Sequence, residues 1–100
     1  MSELLTKEAF AENLNTKFRI PLDSSRAAEI ELLEVVEARS TSRQQQFSVF
    51  FRGPLEYIIP QGTYHMEHEK MGEIDIFIVP VGREPEGFRY EAVFNYVLEG

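Results

Sequence analysis

A chain of 100 residues, 43% hydrophobic and 27% charged, has the make-up of one soluble domain built on one core, spanning residues 1–100, with no room for a second. A net charge of −7 with scattered Lys and Arg opposes nucleic acid and anionic membrane surfaces alike; Arg39 and Arg43, in a polar stretch, are the nearest thing to a basic cluster. The absence of cysteine removes disulfides, thiolate metal sites and a cysteine nucleophile. With no signal segment, and no run near the roughly 20 apolar residues of a transmembrane helix, a cytoplasmic location is expected.

The first element is a helix over Lys7 to Leu14. Thr6 is a suitable N-cap, Glu8 sits in the first turn where the helix dipole favours an acid, and Leu5 can pack on Phe10 across the cap. Asn13 and Asn15 favour a stop. Two turns are marginal alone, so packing of a Leu5, Phe10 and Leu14 stripe must hold them.

The period then changes to two. Phe18, Ile20 and Leu22 alternate with Lys17, Arg19 and Pro21, and Pro21 places the strand at an edge or its own end. Asp23-Ser24-Ser25 is turn chemistry. Ala27 to Ala38 continues as a second strand, Ile30, Leu32 and Val36 facing one way and Glu29, Glu31 and Glu37 the other. Leu33 and Val35 fall on the wrong side, which calls for a bulge or for cover by the helix. An amphipathic helix capped by Ser24 or Ser25 competes for this segment; the hairpin turn before it favours the strand.

Phe47 to Arg52 is a third strand, with Phe47, Val49 and Phe51 on one face. Gly53-Pro54 breaks it, and the apolar run Leu55 to Ile59 closes on Pro60-Gln61-Gly62, where a type II-like turn with positive φ at Gly62 is expected. Thr63 to His68 and Glu73 to Val79 form a hairpin about Gly72. A loop from Gly82 to Gly87 precedes the last strand, in which Phe88, Tyr90, Ala92, Phe94 and Tyr96 alternate with Arg89, Glu91, Val93, Asn95 and Val97. The sum is a mainly β (α+β) domain: a short N-terminal helix on an antiparallel sandwich or small barrel of about six strands.

The blocks Phe51 to Pro54, Pro60 to Tyr64, His68 to Gly72, Phe77 to Gly82 and Tyr90 to Asn95 resemble, in this order, a family of small uncharacterised bacterial proteins catalogued as a domain of unknown function. The resemblance is weak in the first half and good in the second. It implies a shared all-β core with a leading helix, and no activity.

Chemistry-bearing residues are sparse. His65 and His68 lie three apart, so on a strand they point to opposite faces and cannot share an ion; a metal would need His65, Glu67 and Glu69, and an exposed polar face is the simpler account. No metal and no cofactor are expected, and His68 is read as a hydrogen-bonding group of the hairpin. Ser48, Thr63, Tyr64 and Tyr90 stand in no motif that pairs a nucleophile with a base, so no catalytic residue is assigned and the chain is read as non-enzymatic. Arg52 is read as an intramolecular bridge to Glu56 or Glu91, with a bound carboxylate as the functional alternative.

By subtraction, the expected role is a non-catalytic interaction or assembly module, a homo-oligomer or one half of a complex with another protein. Arg52, Tyr57, Val93, Tyr96 and Val97 are its candidate contact residues, on the Tyr90 to Leu98 strand and the Leu55 to Ile59 run. The alternative is a small-ligand-binding barrel lined by Phe47, Tyr64, Phe77 and Tyr90. An enzyme whose acids converge only in three dimensions is the third reading.

Overall fold

The computed structural model describes residues 5–41 and 43–97, without the side chains of Arg39 and Ser40. Expectations for the Arg39 side chain and for Leu98 therefore lie outside the described residues. One helix, α1 (Lys7–Ala11), is followed by six strands: β1 (Lys17–Pro21), β2 (Ala27–Ser40), β3 (Gln44–Gly53), β4 (Gly62–His68), β5 (Gly72–Glu84) and β6 (Gly87–Val97). All pairings are antiparallel within one sheet, in the order β1-β2-β3-β6-β5-β4. A single residue pair, Arg19 opposite Glu67, joins β4 back to β1, so the pairing runs in a ring.

Helix α1 starts as its sequence directs. The Thr6 hydroxyl accepts a hydrogen bond from the Ala9 amide at 3.0 Å, and Phe10 is fully buried. It ends one turn sooner than expected. Asn13 turns its side-chain amide back onto the Ala9 carbonyl at 2.8 Å, and Asn15 takes a left-handed φ of 65°, which stops the helix and sends the chain into β1. Leu14 is consequently exposed and is not part of the buried stripe.

Ala27 to Ser40 is strand throughout, and the bulge is real: Leu32 pairs with Phe51 and Glu34 with Phe50, leaving Leu33 as the extra residue. The phase shift turns Val35 toward the core and Val36 outward, the reverse of a regular strand. Pro21 marks a strand end, opposite Ala27. Leu22, just past it, is exposed. Two turn expectations are corrected. Gly62 is an ordinary strand residue, and the one described glycine with positive φ is Gly72, at 78°. The Gly82 to Gly87 loop is mostly strand, since Arg83 pairs with Phe88 and Glu84 with Gly87, so the reversal is confined to Pro85-Glu86.

The core takes the inward face of every strand. Phe18, Ile20, Ile30, Leu32, Phe47, Val49, Phe51, Met66, Ile76, Ile78 and Tyr90 are buried, each side chain contributing about 1.5–3 kcal/mol. Phe10 closes one end of this interior, its ring centroid 6.4 Å from Phe18, 6.3 Å from Phe47 and 5.2 Å from Phe94.

Candidate functional site

β6 has two unequal sides. Toward β3 it is paired along its whole length, from Phe88 opposite Gly53 to Val97 opposite Gln44. Toward β5 the pairing ends at Glu91 opposite Val79, and the Gly72 to Ile78 half of β5 pairs on its other edge with β4. The pairing ends beside Pro80, which has no N–H to offer a ladder. Among the described residues, no strand pairs with Ala92 to Val97 on this side.

The side chains of that segment divide by face. Val93 and Val97 point outward and are 57% and 78% exposed, and Val36, two strands away across Ser48 from Val93, is exposed on the same outer face. Phe94 and Tyr96 turn inward and are half-buried. Phe94 stacks on Phe47 at 5.1 Å, and Tyr96 lies 6.2 Å from the same ring. Burial pushes the Tyr96 hydroxyl above its ordinary value, and a hydrogen bond from the Leu5 backbone pulls it partly back. Of the contact residues expected on this strand, Val93 and Val97 are surface groups and Tyr96 is part of the core's rim.

Arg52 and Tyr57 belong to a different region, a groove of about 720 Å³ over the outer face of β1, β2 and β3. Lys17, Arg19, Glu29, Glu31 and Arg52 line it, and the chain crossing from Pro54 to Tyr57 walls it. Arg52 bridges to Glu31, its cross-strand partner, at 3.3 Å, not to Glu56 or Glu91 as expected; Glu91 instead accepts a hydrogen bond from the Ser48 hydroxyl at 2.7 Å. Tyr57 is exposed and shares a second hollow, of about 520 Å³, with Leu22, Arg26 and Ala27. The Leu55 to Ile59 run meets β6 at Tyr90, whose hydroxyl oxygen accepts the Ile59 amide at 2.8 Å. The structure therefore does not bring that run to the unpaired edge.

The proposed ligand lining does not assemble either. Phe47 and Tyr90 are fully buried in the packed interior, Tyr64 is half-buried and donates its hydroxyl to the Pro60 carbonyl at 2.7 Å, and Phe77 faces outward, 49% exposed. Phe77 alternates with the buried Ile76 and Ile78, so the strand period itself places it outside.

The two histidines have opposite surroundings. Exposed His65 lies 3.0 Å from Asp75 and 2.9 Å from Glu73, and hydrogen bonds to these carboxylates, Asp75 first, raise its pKa. Glu67, assigned with His65 to a hypothetical metal set, is instead 2.8 Å from Arg19. Among the described residues no group of three His, Asp or Glu side chains could hold a metal ion. His68 is buried and works inside the hairpin as expected, its Nδ1 accepting from the Lys70 and Met71 amides at 3.0 Å each. The His65 pairings are not among the sequence expectations, although the β4–β5 register that sets Glu67 opposite Glu73 also sets His65 opposite Asp75. Nor is Arg89 among them: it bridges Glu34 at 2.7 Å and Glu84 at 3.3 Å and lies 4.6 Å over the Phe50 ring.

The profile of the family described as a domain of unknown function, DUF6916, matches residues 5–94. No curated protein matches, and no solved structure does.

Proposed function

We propose, for a chain that belongs to the DUF6916 family, a non-catalytic assembly role in which a protein partner docks along β6. The observation that carries this reading is the inequality of the two sides of β6, with Ala92 to Val97 paired by β3 and, among the described residues, unpaired opposite it, where Val93 and Val97 are exposed. An unpaired strand edge is a template for another strand, and neighbouring apolar groups add burial to the backbone hydrogen bonds gained. The ring of pairings in the sheet favours a small barrel over a sandwich. In a closed barrel such an interruption is where docking begins. A cytoplasmic location goes with this role; no helix among the described residues is long and apolar enough to cross a membrane. Several carboxylates are already committed to cations, Glu31 to Arg52, Glu34 and Glu84 to Arg89, and Glu67 to Arg19, which supports a structural rather than a catalytic use of the acids.

Ligand binding keeps one supporting observation, moved from the interior to the exterior: the groove beneath Pro54 to Tyr57. The experiment that separates the readings is light scattering coupled to size exclusion, with crosslinking in cells, on the wild type and on the Val93→Lys, Val97→Lys double variant. Assembly requires an oligomer or a crosslinked partner that the double variant loses while it remains folded, with an unchanged β-sheet circular dichroism spectrum. A monomeric wild type with no crosslinked protein overturns it.

A further inference from the structure

We infer that the partner at β6 is a second copy of this chain, paired antiparallel across a twofold axis that passes through Asn95. This rests on the docking reading above and adds the partner and the register.

The composition of the edge is the first argument. Natural proteins blunt an unpaired strand with charge, proline or a bulge. Ala92-Val93-Phe94-Asn95-Tyr96-Val97 has none of these, in a chain that carries 17 acidic and 10 basic residues. Two copies, each with a net charge of −7, repel one another at long range. A contact between them must therefore be made where no carboxylate meets another, and this uncharged edge provides that place.

Register follows from parity. In a twofold antiparallel pair the same surface meets itself, and residues directly opposite must point to the same face of the joined sheet, so outward residues meet outward ones. The unpaired segment is centred between Phe94 and Asn95, which leaves an axis through one or the other. An axis through Phe94 sets apolar Val93 against the copy's Asn95. An axis through Asn95 sets Val93 against Val97 on the outer face and Phe94 against Tyr96 on the inner one, matching β-branched with β-branched and aromatic with aromatic. The second arrangement buries the two most exposed valines of the chain against each other.

The test uses the absence of native cysteine. In the Asn95→Cys variant the two thiols face each other across the axis, at the roughly 4.5–5.5 Å Cα separation of opposed antiparallel residues, which a disulfide spans. Under mild oxidation a disulfide-linked dimer is expected to form at least about tenfold faster than in a Ser24→Cys control placed in the β1–β2 turn. The wild-type dimer should tighten with added salt, which screens the like charges, and Val93→Lys should weaken it about tenfold or more by setting a cation against the copy's Val97. Crosslinking of Asn95→Cys no faster than the control, in a wild type that light scattering shows to be dimeric, overturns the register and leaves docking along β6 intact. A wild type that stays monomeric at high salt, with no enhanced crosslink, overturns self-pairing. Docking along β6 falls with it only if crosslinking in cells also finds no protein that the Val93→Lys, Val97→Lys variant loses.

Discussion

The Thr16 hydroxyl lies 2.8 Å from Nε2 of His68 and ties the turn after α1 to the β4–β5 hairpin. The tautomer is fixed by the other ring nitrogen. Nδ1 accepts two backbone amides, so Nε2 carries the proton and donates it to Thr16, which in turn donates to the Asn13 carbonyl at 2.5 Å. The ring also packs on Phe18, 4.3 Å between centroids.

An imidazolium cannot accept those amides. Burial, reinforced by Lys70 and opposed by Glu69, holds the His68 pKa below its ordinary value, so the unfolded chain binds the proton more readily than the folded one. Stability should therefore fall as pH drops through about 6.5 and level off below the lowered folded value. His68→Gln is expected to cost about 1–2 kcal/mol near neutral pH, by stranding the part-buried Lys70 and Met71 amides, and to flatten this acid limb. Urea unfolding between about pH 7.5 and 5.5 checks both. An unchanged acid limb would assign the pH dependence elsewhere.

His65 works in the opposite direction. Its pKa is raised by Asp75 and Glu73, so its contribution is complete below about 6.5 and is lost as pH rises through the raised value. In His65→Gln the acid limb left by His68 should steepen, an effect that added salt diminishes in the wild type because the pair is exposed. Parallel titrations of the two variants by chemical denaturation measure the difference.

Three glycines separate space from conformation. A Cβ at Gly87 would run into the carbonyl oxygen of Gly53 and lie 2.9 Å from Arg52 Cγ. The first of these is backbone inside a ladder, so Gly87→Ala should cost at least about 2 kcal/mol. Gly72 has open space around it but a φ of 78°, and Gly72→Ala should cost about 1–2 kcal/mol from strain alone. At Gly62 neither obstacle exists, the nearest atom being on the Tyr64 ring at 3.6 Å. Gly62→Ala should be close to neutral, within about 0.5 kcal/mol. Thermal melts of the three variants should rank in that order.

Tyr90→Phe tests the crossing segment. The substitution keeps the ring in the core and removes the acceptor of the Ile59 amide, a buried bond of 2.8 Å. A loss of about 1–3 kcal/mol is expected, together with faster hydrogen exchange at Ile59. Protection of that amide at the wild-type level would show that the segment is held by Ile59 packing instead.

Several features of this protein follow from local sequence alone. Thr6 capping Ala9, the alternation that buries Phe47, Val49 and Phe51, and the Asp23 turn, where one carboxylate takes the Ser25 and Arg26 amides, are set by residues within a few positions of one another. Their chemistry is local, so their outcome is legible without the fold. The misphased Leu33 and Val35 were legible as a choice between a bulge and cover by the helix; the bulge itself, at Leu33, only the pairing with β3 decided. Which strand meets which was not. Alternation tells a residue which face it occupies and says nothing about the neighbour beyond the edge, so neither the pairing of Arg52 with Glu31 nor the clasp of Thr16 on His68 could be read from spacing. Phe77 illustrates the same division: its outward face was fixed by the period of two, yet whether outward meant solvent or another layer depended on how the sheet curls. The edge of β6 belongs wholly to tertiary structure. It exists because the β5–β6 ladder stops at Val79 opposite Glu91, next to Pro80, and a strand's hydrogen bonds are satisfied or left open by what lies alongside it, not by its own sequence.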